Sequence, residues 1–184
     1  MDLEALRLET ARLVLRPVRG EDFEAWAEFS ADPVAMRHLG GVQPRPLAWR
    51  GLIGAVGAWH VQGFSFFSVF ERDSGQWIGR VGPWQPEGWP GTEVGYSLAR
   101  SAWGRGYATE AAAACIDWAV DQLGWTDIIQ TIAPDNAPSQ AVARRLGATL
   151  RGPGRLPPPF ENHPSEIWGQ TREQWRSNRL RLRA

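Results

Sequence analysis

The chain has 184 residues, 43% of them hydrophobic, and its 20 basic residues, every one an arginine, balance 20 acidic ones. That length suits a single domain, residues 1–184, burying about two-thirds of its unfolded surface, and the even charge balance leaves no global field to gather nucleic acid or an anionic membrane. One cysteine, Cys115, excludes an internal disulfide; with no signal-peptide pattern and no 18-residue apolar run, a cytoplasmic protein is expected.

Thr10–Val18 alternates Leu13 and Leu15 with Arg12 and Arg16, the period of a half-buried strand. Glu21–Ser30 follows Gly20 with acids in a first turn and Phe23, Trp26, Ala27 and Phe29 at near-helical spacing, which predicts a short helix. Pro46 can open a second helix, with Trp49, Leu52, Ile53 and Val56 on one face and Gly63 at its end. These two helices are expected to roof the substrate side. Phe64–Phe70 and Gln76–Gly82 read as strands joined by an Asp/Gly turn, Pro83–Gly91 as a loop, and Thr92–Ala99 as the next strand.

Residues 101–109 then run through Gly104 and Gly106 straight into an alanine-rich helix, Tyr107–Leu123. Glycines let a backbone approach a ligand and present successive N–H groups, and the helix start adds unpaired donors and the positive end of its dipole. The pattern is that of a pyrophosphate grip built from backbone. It is not a Walker loop, because Tyr107-Ala108-Thr109 stands where Gly-Lys-Ser/Thr would be required. Nor is it the dinucleotide fingerprint, which wants a third glycine at Thr109 and a βαβ unit where this chain reads as hairpins.

Trp103-Gly104-Arg105-Gly106-Tyr107-Ala108-Thr109-Glu110-Ala111 resembles the acetyl-coenzyme A loop of the GNAT superfamily of N-acetyltransferases, in the form found in its ribosomal-protein N-terminal acetyltransferase (RimJ/RimL-type) branch. Glu93-Val94-Gly95-Tyr96 resembles the strand before that loop. Asn136-Ala137-Pro138-Ser139 with Arg145-Leu146-Gly147 is similar to the later coenzyme-side helix, and Thr10–Pro17 to the opening strand. The resemblance implies an α/β (α+β) fold with a mixed, mostly antiparallel sheet flanked by helices. It also implies acetyl-coenzyme A as co-substrate, no metal, and an amine acceptor: a protein or peptide N-terminus, or else a small amine or antibiotic. The coenzyme contacts it implies are Leu98, Ala99, Ser101, Trp103, Gly104, Arg105, Gly106, Tyr107, Ala108, Thr109, Asn136, Ser139 and Arg145. Two departures stand out. Ser101 occupies a position often held by Gln or Arg, and Ala143 stands where the superfamily often has the tyrosine that returns a proton to the thiolate. The second departure leaves a non-catalytic acyl-coenzyme A sensor open as an alternative.

Acetyl transfer to an amine needs a base, a polarised carbonyl and a proton for the thiolate. Glu93 is the candidate base, with pairing to an arginine as its structural alternative. The resemblance implies that backbone N–H groups around Ser97–Ala99 polarise the carbonyl. The resemblance implies that Asn136 and Ser139 face the coenzyme arm, making Ser139 a candidate proton donor or hydrogen-bond partner for the thiolate, while by position Asn136 reads as a helix N-cap. Glu110, in the first turn of the helix, is expected to cap it. Arg105, Arg144 and Arg145 are candidates for phosphate contact. Trp118 and Trp125 are assigned to the core; Trp84, Trp89 and Trp103 are candidate cleft walls. His38, His60 and His163 have no metal-ligand spacing, and Cys115 is expected to fill core. Further on, Asp127–Ala133 reads as a strand, Asn136–Leu146 as a helix, Ala148–Arg151 and Ser165–Thr171 as strands, and Pro153–Pro164 as a proline-held loop in which Glu161, Asn162 and His163 could touch the acceptor. Arg172–Ala184 is expected to fray. A monomer or homodimer is expected.

Overall fold

The computed structural model describes residues 2–183. Among the described residues eight strands form one sheet, ordered as they occur along the chain except that the last two are exchanged at its far edge. β1 (Leu8–Glu9) and β2 (Leu13–Pro17) make an antiparallel hairpin. Thr10 and Arg12, expected to open a strand, lie in its turn, because Thr10 bonds Leu13 twice: its N–H donates to the Leu13 carbonyl and its Oγ1 accepts from the Leu13 N–H. β3 (Phe67–Glu71), β4 (Trp77–Trp84) and β5 (Glu93–Leu98) continue as an antiparallel meander. β6 (Asp127–Ile132) lies parallel to β5, and β8 (Ser165–Thr171) and β7 (Thr149–Gly154) close the far edge antiparallel.

The two faces of the sheet are packed differently. Leu13, Leu15, Val69 and Val81 meet α3 (Tyr107–Gln122), whose Ala111, Ala112, Cys115, Ile116 and Ala119 are all fully buried. Small side chains on that stripe let the helix axis come close to the strands. On the other face, α1 (Phe23–Ala31) and α2 (Arg45–Val61) bury Trp26, Ala48, Leu52 and Ala55 against Phe66. The polar alternates of β2 are satisfied there: Arg16 reaches Asp22 at 2.7 Å, and Asp22 also accepts from Ser68 at 2.7 Å. Cys115 fills core as its setting in an alanine stripe predicts, and burial pushes its thiol pKa up.

Helix α4 (Ala137–Leu146) and α5 (Arg172–Arg183) complete the α3 side. The helix α5 replaces the expected frayed end. Trp175 is 1% exposed, its indole donates to Asp117 at 3.0 Å, and Arg179 reaches the same carboxylate at 2.7 Å. The spacing of Trp175, Arg179 and Leu182 was a readable helical signal in an otherwise polar stretch; residue 184 lies outside the described residues. No described helix is long and apolar enough to cross a membrane.

Candidate active site

β5 and β6 touch at one register pair, Glu93↔Ile129, and then part. Their divergence leaves one side of β5 without a strand partner beyond Glu93. Because N–H directions alternate along a strand, the assignment of one amide fixes the rest. The Ala99 N–H donates to the Ile78 carbonyl on the β4 side at 2.9 Å. Ser97 therefore also faces β4, while Tyr96 and Leu98 point their N–H groups into the gap. Of the expected Ser97–Ala99 stretch, Leu98 alone offers a free amide there, and its carbonyl already accepts from the Trp103 indole at 2.8 Å.

The gap opens into a cleft of about 1560 Å³ that runs past the glycine turn to α3 and α4. Gly104 (φ +72°) and Gly106 (φ +79°) are both left-handed, and Gly106 is the N-cap of the 16-residue helix α3. A Cβ at Gly104 would meet nothing within 4 Å, so the backbone there faces open space. Gly104, Gly106, Ala108 and Thr109 wall the cleft, and the first-turn N–H groups of α3 point the way a phosphate would approach.

A polar cluster holds this turn from behind. Glu71 accepts from the Tyr107 hydroxyl and pairs with Arg105, each at 2.6 Å. These donors, the tyrosine hydroxyl first, hold its carboxyl below the usual range. Arg12 and Arg105 lie over the Tyr107 ring, each 4.6 Å from its centroid, and Arg12 donates to the Arg105 carbonyl at 2.9 Å. Glu110 does not cap α3. Its carboxylate accepts from the Thr10 hydroxyl at 2.6 Å and pairs with Arg12 at 2.6 Å, tying α3 to the β1–β2 turn. Sequence reading missed this because the partners lie about a hundred residues away, and the first-turn position satisfied a local rule.

Glu93 sits at the apex of the gap with 7% of its surface exposed. Its oxygens accept from the Trp89 indole at 2.6 Å, the Thr131 hydroxyl at 2.9 Å and the Thr131 N–H at 3.3 Å. Among the described residues no arginine pairs with it. Burial pushes its carboxyl pKa up to about 7, against the pull of these donors. The side chain turns toward β6 and Trp89 and is not part of the cleft wall.

Asn136 caps α4, its Oδ1 accepting from the Ser139 N–H at 3.2 Å. Asn136, Ser139 and Arg145 wall the cleft, and the Ser139 hydroxyl has no hydrogen bond among the described residues. Ala143 is fully buried beside Ile132 and Trp168, so the missing tyrosine's position faces packing. Tyr96, which sequence reading did not single out, lines the cleft, and its hydroxyl donates to the Ser139 carbonyl at 2.9 Å. Of the remaining expected contacts, Leu98, Trp103 and Tyr107 border the cleft. Ala99, Ser101 and Arg105 do not: the first is tied to β4, the second is exposed on the short turn before Trp103, and the third is held by Glu71. Arg144 stacks on Trp168 instead of entering.

Trp118 and Trp125 are core. Trp84 stacks on Phe66, with ring centroids 4.8 Å apart, and Trp89 lies edge-on to both Trp84 and Phe160. Together with His163, which packs on Phe160, they form an aromatic wall beside Glu93. His38 lines the cleft and approaches Asp135 across it at 3.5 Å. The described residues contain no cluster of three or more metal-ligating side chains.

The acetyltransferase (GNAT) domain model matches residues 12–149. The chain belongs to the GNAT acetyltransferase family. An acetyltransferase from Agrobacterium tumefaciens superposes with a TM-score of 0.79 at 32% identity, covering 91% of this chain and 95% of that one. The N-acetyltransferase p20 of Bacillus licheniformis, itself uncharacterized, is 28% identical over 148 residues, 79% of this chain and 83% of that protein. The ribosomal-protein-S5-alanine acetyltransferase from Vibrio fischeri shares the fold, with a TM-score of 0.70 at 18% identity, covering 92% of this chain and 98% of that one. The mostly antiparallel sheet flanked by helices is thus that of a GNAT acetyltransferase, an enzyme whose family uses acetyl-coenzyme A. The unobstructed, left-handed Gly104 and the bared Leu98 amide suit the pyrophosphate and thioester ends of such a coenzyme.

Proposed function

We propose that this protein transfers the acetyl group of acetyl-coenzyme A directly to a primary amine. The reading rests on one observation: the amide-lined gap between β5 and β6 runs without interruption to the left-handed glycine turn at the start of α3. The coenzyme supplies an activated thioester. Gly104, Gly106 and the first turn of α3 bind its pyrophosphate through N–H groups, and Arg145 lies within reach of the more distal part. The Leu98 N–H polarises the carbonyl.

The amine enters from the side covered by α1 and α2. Glu93, on that face of β5, takes its proton, since a carboxyl titrating near 7 is matched to work at neutral pH. Its distance from the cleft wall requires a bridging water or movement of the Trp89 loop. The hydroxyl of Ser139, without a hydrogen-bond partner among the described residues, serves the departing thiolate, with Tyr96 holding α4 in place. A protein or peptide N-terminus as acceptor is supported by the likeness to the ribosomal-protein acetyltransferase fold.

The test is free-thiol release from acetyl-coenzyme A with a panel of peptides and small amines, alongside calorimetry of coenzyme binding. Binding and turnover are expected. Binding without turnover across the panel would instead indicate an acyl-coenzyme A sensor, and absence of binding would remove the coenzyme site itself.

A further inference from the structure

On the α1/α2 face of the sheet, one strand in from the cleft, stands an arginine with nothing to neutralise it. Arg80 lies in β4, opposite Ser68 on one side and Ser97 on the other, so its side chain leaves the sheet on the same face as those of Ser97, Gly95 and Glu93. Its guanidinium is held between two rings, 4.4 Å from the centroid of Trp26 and 4.7 Å from that of Phe66. Its Nε is buried without a hydrogen-bond partner, and no described carboxylate pairs with the group. The carboxylate nearby in the fold, Asp22, is taken by Arg16 and Ser68. Desolvation lowers the Arg80 pKa to about 10. Ring faces compensate a cation in part, but they accept none of its five N–H groups; the side chain is half-buried, and its Nε–H, shut away from water without an acceptor, is costly to leave unpaired.

The same Phe66 ring reaches the reaction centre. A Cβ at Gly95 would lie 3.4 Å from the ring edge and 3.5 Å from the Glu93 Oε1. The missing side chain therefore leaves a niche bordered by Phe66 and by the carboxylate assigned to the amine. A cation and a carboxylate thus flank one aromatic ring on one face of the sheet, beside Ser97, which lines the cleft.

From this arrangement we infer that the acceptor amine carries a carboxylate, which Arg80 binds while the amine lies toward Glu93. This inference rests on the acetyl-transfer reading above. The carboxylate belongs either to an amino acid or to an acidic side chain or terminus of a short peptide. Planar, bidentate pairing with a carboxylate is the interaction a guanidinium fixed by stacking is preorganised to make.

Initial rates with shape-matched acceptor pairs that differ in one carboxylate test it: phenylalanine against phenylalaninamide, and an amidated tripeptide with Glu against Gln in second position. The wild-type enzyme is expected to favour the charged member of at least one pair by 10-fold or more in kcat/KM, and which pair responds separates the two sources. In Arg80→Met that preference should vanish through KM, with acetyl-coenzyme A affinity unchanged, whereas Arg80→Lys, which keeps the charge but not the fork, should retain part of it. Binding of the N-acetylated acids and amides to the coenzyme A complex, read by tryptophan fluorescence, gives the same comparison without turnover and leaves the inference testable if Arg80→Met fails to fold. Equal rates and equal binding for the charged and neutral members, or an Arg80 effect that is the same on both, overturns it. Failure of the acetyl-transfer reading shows up separately, as absent coenzyme binding or as coenzyme binding without turnover on either member of every pair.

Discussion

The Tyr96 hydroxyl donates to the Ser139 carbonyl at 2.9 Å, spanning the gap where β5 and β6 have already separated. That one bond joins β5 to α4, the two elements to which the proposed mechanism assigns the carbonyl-polarising amide and the thiolate's partner. It fixes the width of the reaction cleft without occupying the Ser139 side chain. Tyr96→Phe should leave the fold intact and lower kcat several-fold with a smaller change in coenzyme affinity; a kcat equal to wild type would show that the tie does not set catalytic geometry.

Glu93→Gln should reduce kcat/KM about 10²-fold or more at neutral pH, the usual range for loss of a general base, while coenzyme affinity stays close to wild type. The rising limb expected near pH 7 in the wild-type profile should disappear with it. Rates equal to wild type would remove Glu93 from the mechanism.

The Trp89 indole, 2.6 Å from the Glu93 carboxylate, opposes the effect of burial by stabilising the charged form. Trp89→Phe should therefore move the rising limb of kcat/KM to higher pH. A limb that stays in place would mean that the indole does not tune this group.

Glu93 also couples stability to pH. Its folded-state pKa of about 7 lies above the ordinary carboxyl value of 4.5, so between these values the native state retains a proton that the unfolded chain has released. The stabilising contribution is complete below about pH 4.5 and lost as pH rises through 7. The change amounts to about 3 kcal/mol. Denaturant titrations from pH 4.5 to 8 should show this decline in wild type and a flatter dependence in Glu93→Gln.

Gly104→Val should weaken acetyl-coenzyme A binding at least 10-fold and leave far-UV circular dichroism unchanged. The position has room for a side chain, but φ is +72° and the added atoms would point where a phosphate is expected. Gly79→Ala should act differently. A Cβ there would run into the Ser97 carbonyl and the Leu98 Cα, so the β4–β5 ladder must shift, and thermal stability should fall together with coenzyme affinity. Calorimetry and melting curves on both variants separate the two effects.

Local patterns in the chain specified much of this protein. Leu13 and Leu15 at period two, the alanine stripe of α3 and the glycines before it each encode their structure through near neighbours, and their order along the chain is enough to point to the GNAT architecture. Asn136 as a cap and Gly147 as a left-handed helix end follow from the same local rules. What the tertiary structure alone decided lies across the sheet. Glu110 binds Thr10 and Arg12 instead of its own helix, Glu71 anchors Tyr107 and Arg105, Glu93 meets Trp89 and Thr131, and Arg80 is left between Trp26 and Phe66 with no counter-charge among the described residues. Hydrogen bonding and desolvation depend on partners tens of residues away, and strand register, which brings those partners together, is set by the packing of the whole sheet.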